Sequence, residues 1–367
     1  MNNYFDICAT TPIDNTVLNF ITKQTKEIFG NPSSIHGFGQ KSKALLERAR
    51  LKICKSLNCN ANEIIFTCGG SISNNIALSG VLKKGDHLIT SSYEHPAILK
   101  VAESLIKKGV EVSFVKPNQK GIIKVTDIKK LIKQNTRLIS IMYVNNEIGT
   151  INPIDKISIL AKEHNILTHT DAVQAMGKIK VDIKNLNVDF ISLSGHKFYA
   201  PKGVGLLYVK EETPINPILF GGGQEFELFP GTENIVNIAA MAEALELCCN
   251  NLDTHYNNMK NLDNYFISLL EENNVNYRIN GENRVPGILN ITLPDTHSPS
   301  FIVNLDRDGY AIASGSACAS GSLKNSHTLK ELGFNDDDIK KSYRISFGKS
   351  HNKDDVKNLF KTMIKNI

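Results

Sequence analysis

The chain has 367 residues, 41% of them hydrophobic and 22% charged, with a formal net charge of +5. That length carries one large domain or two. The basic residues are scattered, with no stripe and no aromatic interleaving, which argues against direct nucleic-acid contact. No apolar run approaches the ~18 residues a membrane span needs, and Met1–Thr10 has neither a basic nor an apolar leader region. The seven cysteines are odd in number and form no C-x-x-C pair. This argues against a disulfide framework or zinc ribbon and for a reducing compartment. A soluble cytoplasmic protein is the expectation.

Along the chain, short apolar runs alternate with helical patterns. Strands are predicted at Glu63–Thr67, His87–Ser91, Glu111–Val115, Arg137–Tyr143, Leu167–Thr170, Asp189–Leu193 and Gly205–Val209. Between them, Ala97–Lys108, Ile128–Gln134 and Ile154–His164 carry apolar residues at i, i+3, i+4 and predict helices. Strands alternating with helices imply an α/β fold, with a mostly parallel sheet covered on both faces. After Gly231 the pattern changes. Glu233–Asn250 reads as one long helix and a second runs to about Asn273. Strands follow at Gly287–Leu293, Tyr310–Ala313 and Tyr343–Phe347, with helices among them, as in a smaller α+β domain. Ala313–Ser322 consists almost wholly of small residues, which predicts a mobile loop.

Five places carry chemistry. Ser192-Leu193-Ser194-Gly195-His196-Lys197 closes a buried strand. Burying an ammonium is costly, so Lys197 reads either as a Schiff-base lysine whose partial burial makes the amine nucleophilic, or as a lysine at a solvated turn. In the first reading Ser194 and His196 grip a phosphate. Asp171, after the strand ending at Thr170, is either the carboxylate that keeps a pyridine ring protonated or a helix N-cap. Gln174, three residues on, is in reach of the same ring. Thr67-Cys68-Gly69-Gly70-Ser71 joins a strand to a helix, and its glycines let backbone N–H groups approach an anion. Cys318 sits among small polar neighbours, which suits a thiol that must be reached. The other six cysteines read as packing residues. Arg344, in an apolar strand, is either a bidentate carboxylate ligand or an outward-facing strand residue.

Together these pieces resemble the cysteine desulfurases of the class V aminotransferase group, fold-type I pyridoxal-phosphate enzymes, in the nitrogen-fixation and iron–sulfur assembly branch. The likeness runs in order from Phe5-Asp6-Ile7-Cys8-Ala9-Thr10-Thr11-Pro12 through Gly30-Asn31-Pro32-Ser33-Ser34, Thr67–Ser71, Glu94-His95 and Val144-Asn145-Asn146-Glu147-Ile148-Gly149. It continues through Asp171, Gln174, Ser194–Lys197, Gly231-Thr232-Glu233-Asn234, Ser314-Gly315-Ser316-Ala317-Cys318 and Arg344. The resemblance implies a large cofactor-binding domain over 15–252 and a small domain of 1–14 and 253–367 that carries the cysteine loop. It implies pyridoxal 5'-phosphate bound covalently through Lys197, with His95 stacked on the ring and moving protons. Asp171 would face the ring nitrogen. Asn146 and Gln174 would contact the phenolic oxygen or substrate, and Asn146 and Arg344 the substrate carboxylate. Gly70, Ser71, Ser194 and His196 would hold the phosphate, and Thr232 would reach the phosphate of a neighbouring subunit, which implies a homodimer. Sulfur from L-cysteine would move onto Cys318 as a persulfide, leaving L-alanine. It would then pass to an acceptor protein, an iron–sulfur scaffold or a tRNA-thiolation enzyme.

Three positions depart from the family pattern. Ile72 stands where many relatives have Glu, Phe229 where they have Arg, and Lys349 where they have Arg. A selenocysteine lyase or an aminotransferase of the same fold shares most of these residues, although a transaminase has no need of Cys318. A non-catalytic scaffold relative would be expected to have lost Lys197, Asp171, His95 or Cys318, and all four are present.

Overall fold

The computed structural model describes residues 3–296, 300–314 and 326–367. Cys318 and most of the small-residue segment predicted as a mobile loop lie outside the described residues.

The described elements, in chain order, begin with helices α1 (Asn15–Glu27) and α2 (Gly37–Leu57). Next come β1 (Ile64–Thr67), α3 (Gly70–Val81), β2 (His87–Ser91), α4 (Pro96–Lys107), β3 (Glu111–Val115) and α5 (Val125–Leu131). They are followed by β4 (Thr136–Ser140), α6 (Ile154–Glu163), β5 (Leu167–Asp171), α7 (Ile183–Leu186), β6 (Phe190–Ser194) and β7 (Gly205–Val209). The second part holds α8 (Ile235–Asn250), α9 (Leu252–Glu272), β8 (Arg278–Ile279), β9 (Ile288–Thr292) and α10 (Ser300–Arg307). It ends with α11 (His327–Glu331), α12 (Asp336–Lys340), β10 (Ser342–Ser346) and α13 (Lys353–Lys365).

Strands β1–β7 form one sheet in the order β1-β7-β6-β5-β4-β2-β3. The run from β6 to β3 is parallel, and β7 lies antiparallel to both β6 and β1. The strands are short and buried throughout except at edge strand β3, as expected of a parallel sheet covered on both faces. The crevice at the carboxyl ends of such strands is where ligands bind in this architecture, and ten of the twelve expected site residues line it. A second, antiparallel sheet has the order β10-β9-β8.

Separate apolar clusters underlie these sheets. One joins the large sheet to α2 and α8 and includes Leu45, Ile53, Ile139, Leu193, Ile238 and Met241. Another joins the small sheet to α9 and α13 and includes Leu262, Phe266, Ile291, Phe347 and Leu359. Phe5, at the other end of the chain, belongs to this second cluster.

Two predicted elements differ. Tyr310–Ala313 is not a strand. Ala311 and Ala313 make only isolated bridges, to Tyr4 and Arg344, because its neighbours are the N-terminal segment and one edge of β10 rather than a ladder. The helix expected at Ile128–Gln134 starts at Val125 and stops at Leu131, since Ile132 turns extended and Lys133 N–H is taken by Thr136 Oγ1. The three departures from the family pattern are all accommodated. Ile72 and Phe229 pack against an apolar cluster under α3 and α4, and Lys349 pairs with Asp14 over the Tyr199 ring.

A strained turn precedes Thr232. Glu225, Phe226 and Glu227 have φ of 49°, 58° and 65°, a left-handed run that costs L-residues roughly 1–2 kcal/mol each. Glu225 holds it in place. Its buried carboxylate takes Arg50 Nη2 at 2.7 Å and Nη1 at 3.1 Å, and the Phe66 N–H at 2.7 Å. Glu227 is exposed and makes no such anchor. Glu227→Gly is therefore expected to raise stability by about 1 kcal/mol, the strain relieved less the added freedom of the unfolded chain. Urea unfolding measures this, and a loss of stability would show that the Glu227 side chain contributes more than its backbone costs.

Candidate active site

The ends of β1, β2, β4, β5 and β6 converge on one cavity of about 220 Å³. It is lined by Gly70, Ser71, His95, Asn146, Asp171, Gln174, Ser194, His196, Lys197 and Arg344. These are ten of the twelve residues singled out in the sequence. Thr232 lies elsewhere, in a second cavity with Thr67, Cys68, Gly231 and Asn234. Cys318 is outside the described residues.

One wall is the start of α3. Its N-cap, Gly69, has φ 148° and offers no side-chain cap, so the first N–H groups of the helix face the cavity, together with the positive end of its dipole. A Cβ on Gly70 would come within 2.8 Å of Val173 Cγ2, so glycine is what lets the turn after Asp171 close against this helix. Ser194 and His196 come from the turn after β6 on the opposite side. Burial and nearby Lys197 and Lys202 bring His196 down to about 4, leaving it neutral, with Nδ1 3.1 Å from Thr10 Oγ1.

Asp171 ends β5, and its neighbour in register is Ser192 of β6, five residues before Lys197. No helix follows Asp171, which rules out the N-cap reading. Its Oδ1 accepts from Val173 N at 3.0 Å and its Oδ2 from Asn74 Nδ2 at 2.8 Å. Asn74 is fully buried, lines the cavity and has no partner for Oδ1 among the described residues. Sequence reading missed it, yet its spacing of four from Gly70 puts both on one face of α3. Lys197 Nζ donates to the carbonyls of Cys8 at 2.6 Å and Ala9 at 2.8 Å. Cys8 O also accepts Gln174 Nε2 at 2.9 Å, while Gln174 Oε1 takes Lys178 Nζ at 3.2 Å.

His95 caps α4, with Pro96 at the first helical position. Its Nδ1 accepts the Ala97 N–H at 3.1 Å, so a neutral ring carries its proton on Nε2. Burial lowers its pKa against the opposing pull of Asp171. Arg344 is 1% exposed, which overturns the outward-facing reading. It pairs with Asp6 and donates through Nη1 to Asn146 O at 2.9 Å. Its buried Nε has no partner among the described residues.

These residues fit pyridoxal phosphate. An uncapped helix start faces Ser194 and His196, a carboxylate is held by two donors, and a lysine amine donates to two backbone carbonyls. A buried Asn74 oxygen and a buried arginine N–H lack partners along the same cavity.

The comparisons agree. The Aminotransferase class-V family matches residues 3–359, and the chain belongs to that family, whose members are pyridoxal-phosphate enzymes. Within it the chain belongs with the cysteine desulfurases. It is 41% identical over 359 residues to the cysteine desulfurase IscS of Dictyoglomus turgidum, covering 96% of this chain and 91% of that one. It is 38% identical over 361 residues to the putative cysteine desulfurase IscS 1 of Bacillus subtilis, covering 96% and 95%. Among solved structures, a NifS-like protein superposes with a TM-score of 0.93 at 33% identity, covering 100% of this chain and 99% of that one. SspA in complex with cysteine gives 0.84 at 33% identity, covering 95% and 100%.

Beneath His95 lies Glu94, fully buried. Its Oε1 accepts from Ser91 Oγ at 2.5 Å and Met142 N at 2.9 Å, and Oε2 has no partner among the described residues. Burial, aided by the charge of Asp171, pushes its carboxyl up to about 8. The folded protein thus holds a proton there that the unfolded chain releases near pH 4.3. This contribution to stability is complete below about pH 4 and is lost as pH rises through 8. Relative to Glu94→Gln, the wild type should lose up to about 1.4 kcal/mol per pH unit between pH 5 and 8. Parallel urea-unfolding profiles of the two proteins across that range would show that Glu94 is already ionised.

Proposed function

We propose that this protein takes sulfur from L-cysteine onto Cys318 as a persulfide, releases L-alanine, and hands the sulfur to an acceptor protein. The observation that carries this reading is the gathering of ten expected residues around one cavity, with Asp171 at the end of β5 and Lys197 in the turn that follows the adjacent strand β6. The described flanks of the Cys318 segment add support. Ala313 exchanges backbone hydrogen bonds with cavity-lining Arg344, at 3.1 and 2.7 Å.

Gly70, Ser71, Ser194 and His196 would hold the phosphate and Asp171 the ring nitrogen. Once bound, pyridoxal phosphate supplies a protonated ring that takes up the electron pair released at Cα. Arg344, with its spare Nε, and Asn146 bind the substrate carboxylate and orient the Cα–H bond. Lys197 Nζ takes the Cα proton as general base. His95, neutral with its proton on Nε2, is placed to move a proton at the substrate. Cys318, as thiolate, attacks the substrate sulfur. The Cβ–S bond breaks as the S–S bond forms, and a proton completes the methyl group of alanine. The two sulfurs are oxidised as Cβ is reduced, so no outside electron carrier is needed.

The unit at work is read as a homodimer. Phe29, Ile35 and Phe220 are 71%, 92% and 87% exposed, and Phe226 shares a groove with Pro32 and Ser33. Large apolar side chains exposed to this degree favour a partner surface, and a second copy would bring Thr232 to its neighbour's phosphate cradle. The reading places the protein in the cytoplasm, where free thiols persist, and its acceptor in iron–sulfur assembly or tRNA thiolation. No helix among the described residues is long and apolar enough to cross a membrane.

Supplied with pyridoxal phosphate, L-cysteine and a thiol reductant, the protein should form alanine and sulfide in equal amounts. Cys318→Ala should form neither. Equal sulfide from Cys318→Ala would remove the thiol from the mechanism. Lys197→Ala should lower turnover by roughly 10²–10⁴-fold and lose the cofactor's Schiff-base absorbance. An unchanged spectrum would assign the covalent link to another lysine.

A further inference from the structure

The mechanism leaves one buried carboxylate without a task. Glu147 adjoins Asn146, and its side chain is 1% exposed. No lysine or arginine pairs with it among the described residues. It accepts instead from two hydroxyls 179 and 181 residues away in sequence, Ser326 Oγ and Thr328 Oγ1, the latter at 3.0 Å. Ser326 is the N-cap of α11 and also takes the Leu329 N–H at 3.1 Å. Between them His327 donates from Nε2 to the carbonyl of Glu94 at 2.9 Å, beside His95. A five-residue helix with little intrinsic stability is thus fastened by its first turn to two motifs of the cavity wall.

Burying a carboxylate against two hydroxyls and the His327 ring, whose Nδ1 lies 3.9 Å from Oε1, is costly, and a neutral side chain would pack here at lower cost. What the charge adds is strength and direction in the bonds to Ser326 and Thr328. These residues follow Cys318 by only eight and ten positions.

We propose that Glu147 is a positioning residue for the sulfur-accepting step: by clamping the start of α11, it fixes the point at which the chain bearing Cys318 rejoins the cavity wall. The proposal rests on the role given to Cys318 above. The Glu147 side chain makes its hydrogen bonds to α11, but its charge is felt by His95 and Arg344, so Thr328→Val, which keeps the charge and removes one donor, is the variant that separates cofactor and substrate binding from delivery of the thiol.

The test uses the cofactor-loaded full chain, as wild type, Glu147→Gln and Thr328→Val. Four quantities are read: cofactor affinity, the spectral change on adding L-cysteine, the single-turnover rate of the +32 Da adduct on Cys318, and hydrogen exchange of the α11 amides. Both variants are expected to exchange α11 amides faster, and Thr328→Val to bind cofactor and L-cysteine as wild type does. Persulfide formation should slow by about tenfold to 10²-fold, the scale of an ångström-level misplacement, so kcat falls while KM holds. Glu147→Asp should recover part of the rate. The proposal fails if adduct forms at the wild-type rate once α11 has loosened, if α11 exchange is unchanged, or if the cofactor affinity of Thr328→Val falls in step with the rate. Should Glu147→Gln not fold, Thr328→Val, which leaves the carboxylate in place and takes away one donor, decides. Absence of any adduct on Cys318 in the wild type would instead sink the function reading itself.

Discussion

The first dozen residues are the stitch on which the site depends. Phe5 sits in the apolar core of the small sheet, and its N–H bonds to Ala311 O at 2.8 Å. Asp6 pairs with Arg344. Cys8 N–H donates to Ser346 Oγ at 3.0 Å, and Cys8 O receives both Lys197 and Gln174. Thr11 N–H reaches His196 O at 2.9 Å. A few residues around one turn thus touch Arg344, Lys197 and the turn after β6 in succession. The aim of those side chains depends on this segment, because Lys197 and Gln174 donate to its backbone carbonyls, Arg344 pairs with the Asp6 carboxylate and the His196 ring meets the Thr10 hydroxyl.

The electrostatics of the cavity follow from burial. Glu94, His95 and His196 are all pushed toward their neutral forms. His169, under the floor between Ser140 and Ser192, is brought down to about 3. Lys197, Arg344, Asp171 and Asp6 are each held by hydrogen bonds, as is Glu147 beside Asn146. That economy suits a cavity that must receive a phosphate dianion and a substrate carboxylate. Every additional buried charge would either repel them or need a partner of its own.

Much of this was legible in the sequence, for a physical reason. Strands β2, β3 and β7 fall on their predicted residues, because short β-branched and apolar runs between turns leave little choice of period. The motif residues at the strand ends are also local signals, since a turn that must present N–H groups or an amine uses few residue types. What was not legible depends on partners remote in the chain. Asn74 acquires meaning only when β5 delivers Asp171, 97 residues on. The left-handed Glu225–Glu227 run violates local preference and is held by Arg50, 175 residues before Glu225. Strand β8 has two residues and exists only as an edge for β9. The segment Tyr310–Ala313 looks like a strand in sequence because its side chains are apolar, but its bridges go to two different neighbours.

In the proposed reaction the thiol of Cys318 must meet a substrate inside the cavity and then an acceptor outside it. The chain answers with two unequal tethers. Five residues separate Ala313 from Cys318 and eight separate Cys318 from Ser326, spans of at most about 17 and 28 Å when extended. The shorter arm starts from the backbone of Arg344, so the thiol cannot stray far from the carboxylate ligand. The longer arm ends on Glu147, beside Asn146. In the proposed reading each post stands at or beside a substrate contact, Arg344 and Asn146, and the two short spans keep the local concentration of the thiol high. Rigidity is then needed only at the posts, and there the structure places a backbone bridge at one and a buried carboxylate at the other.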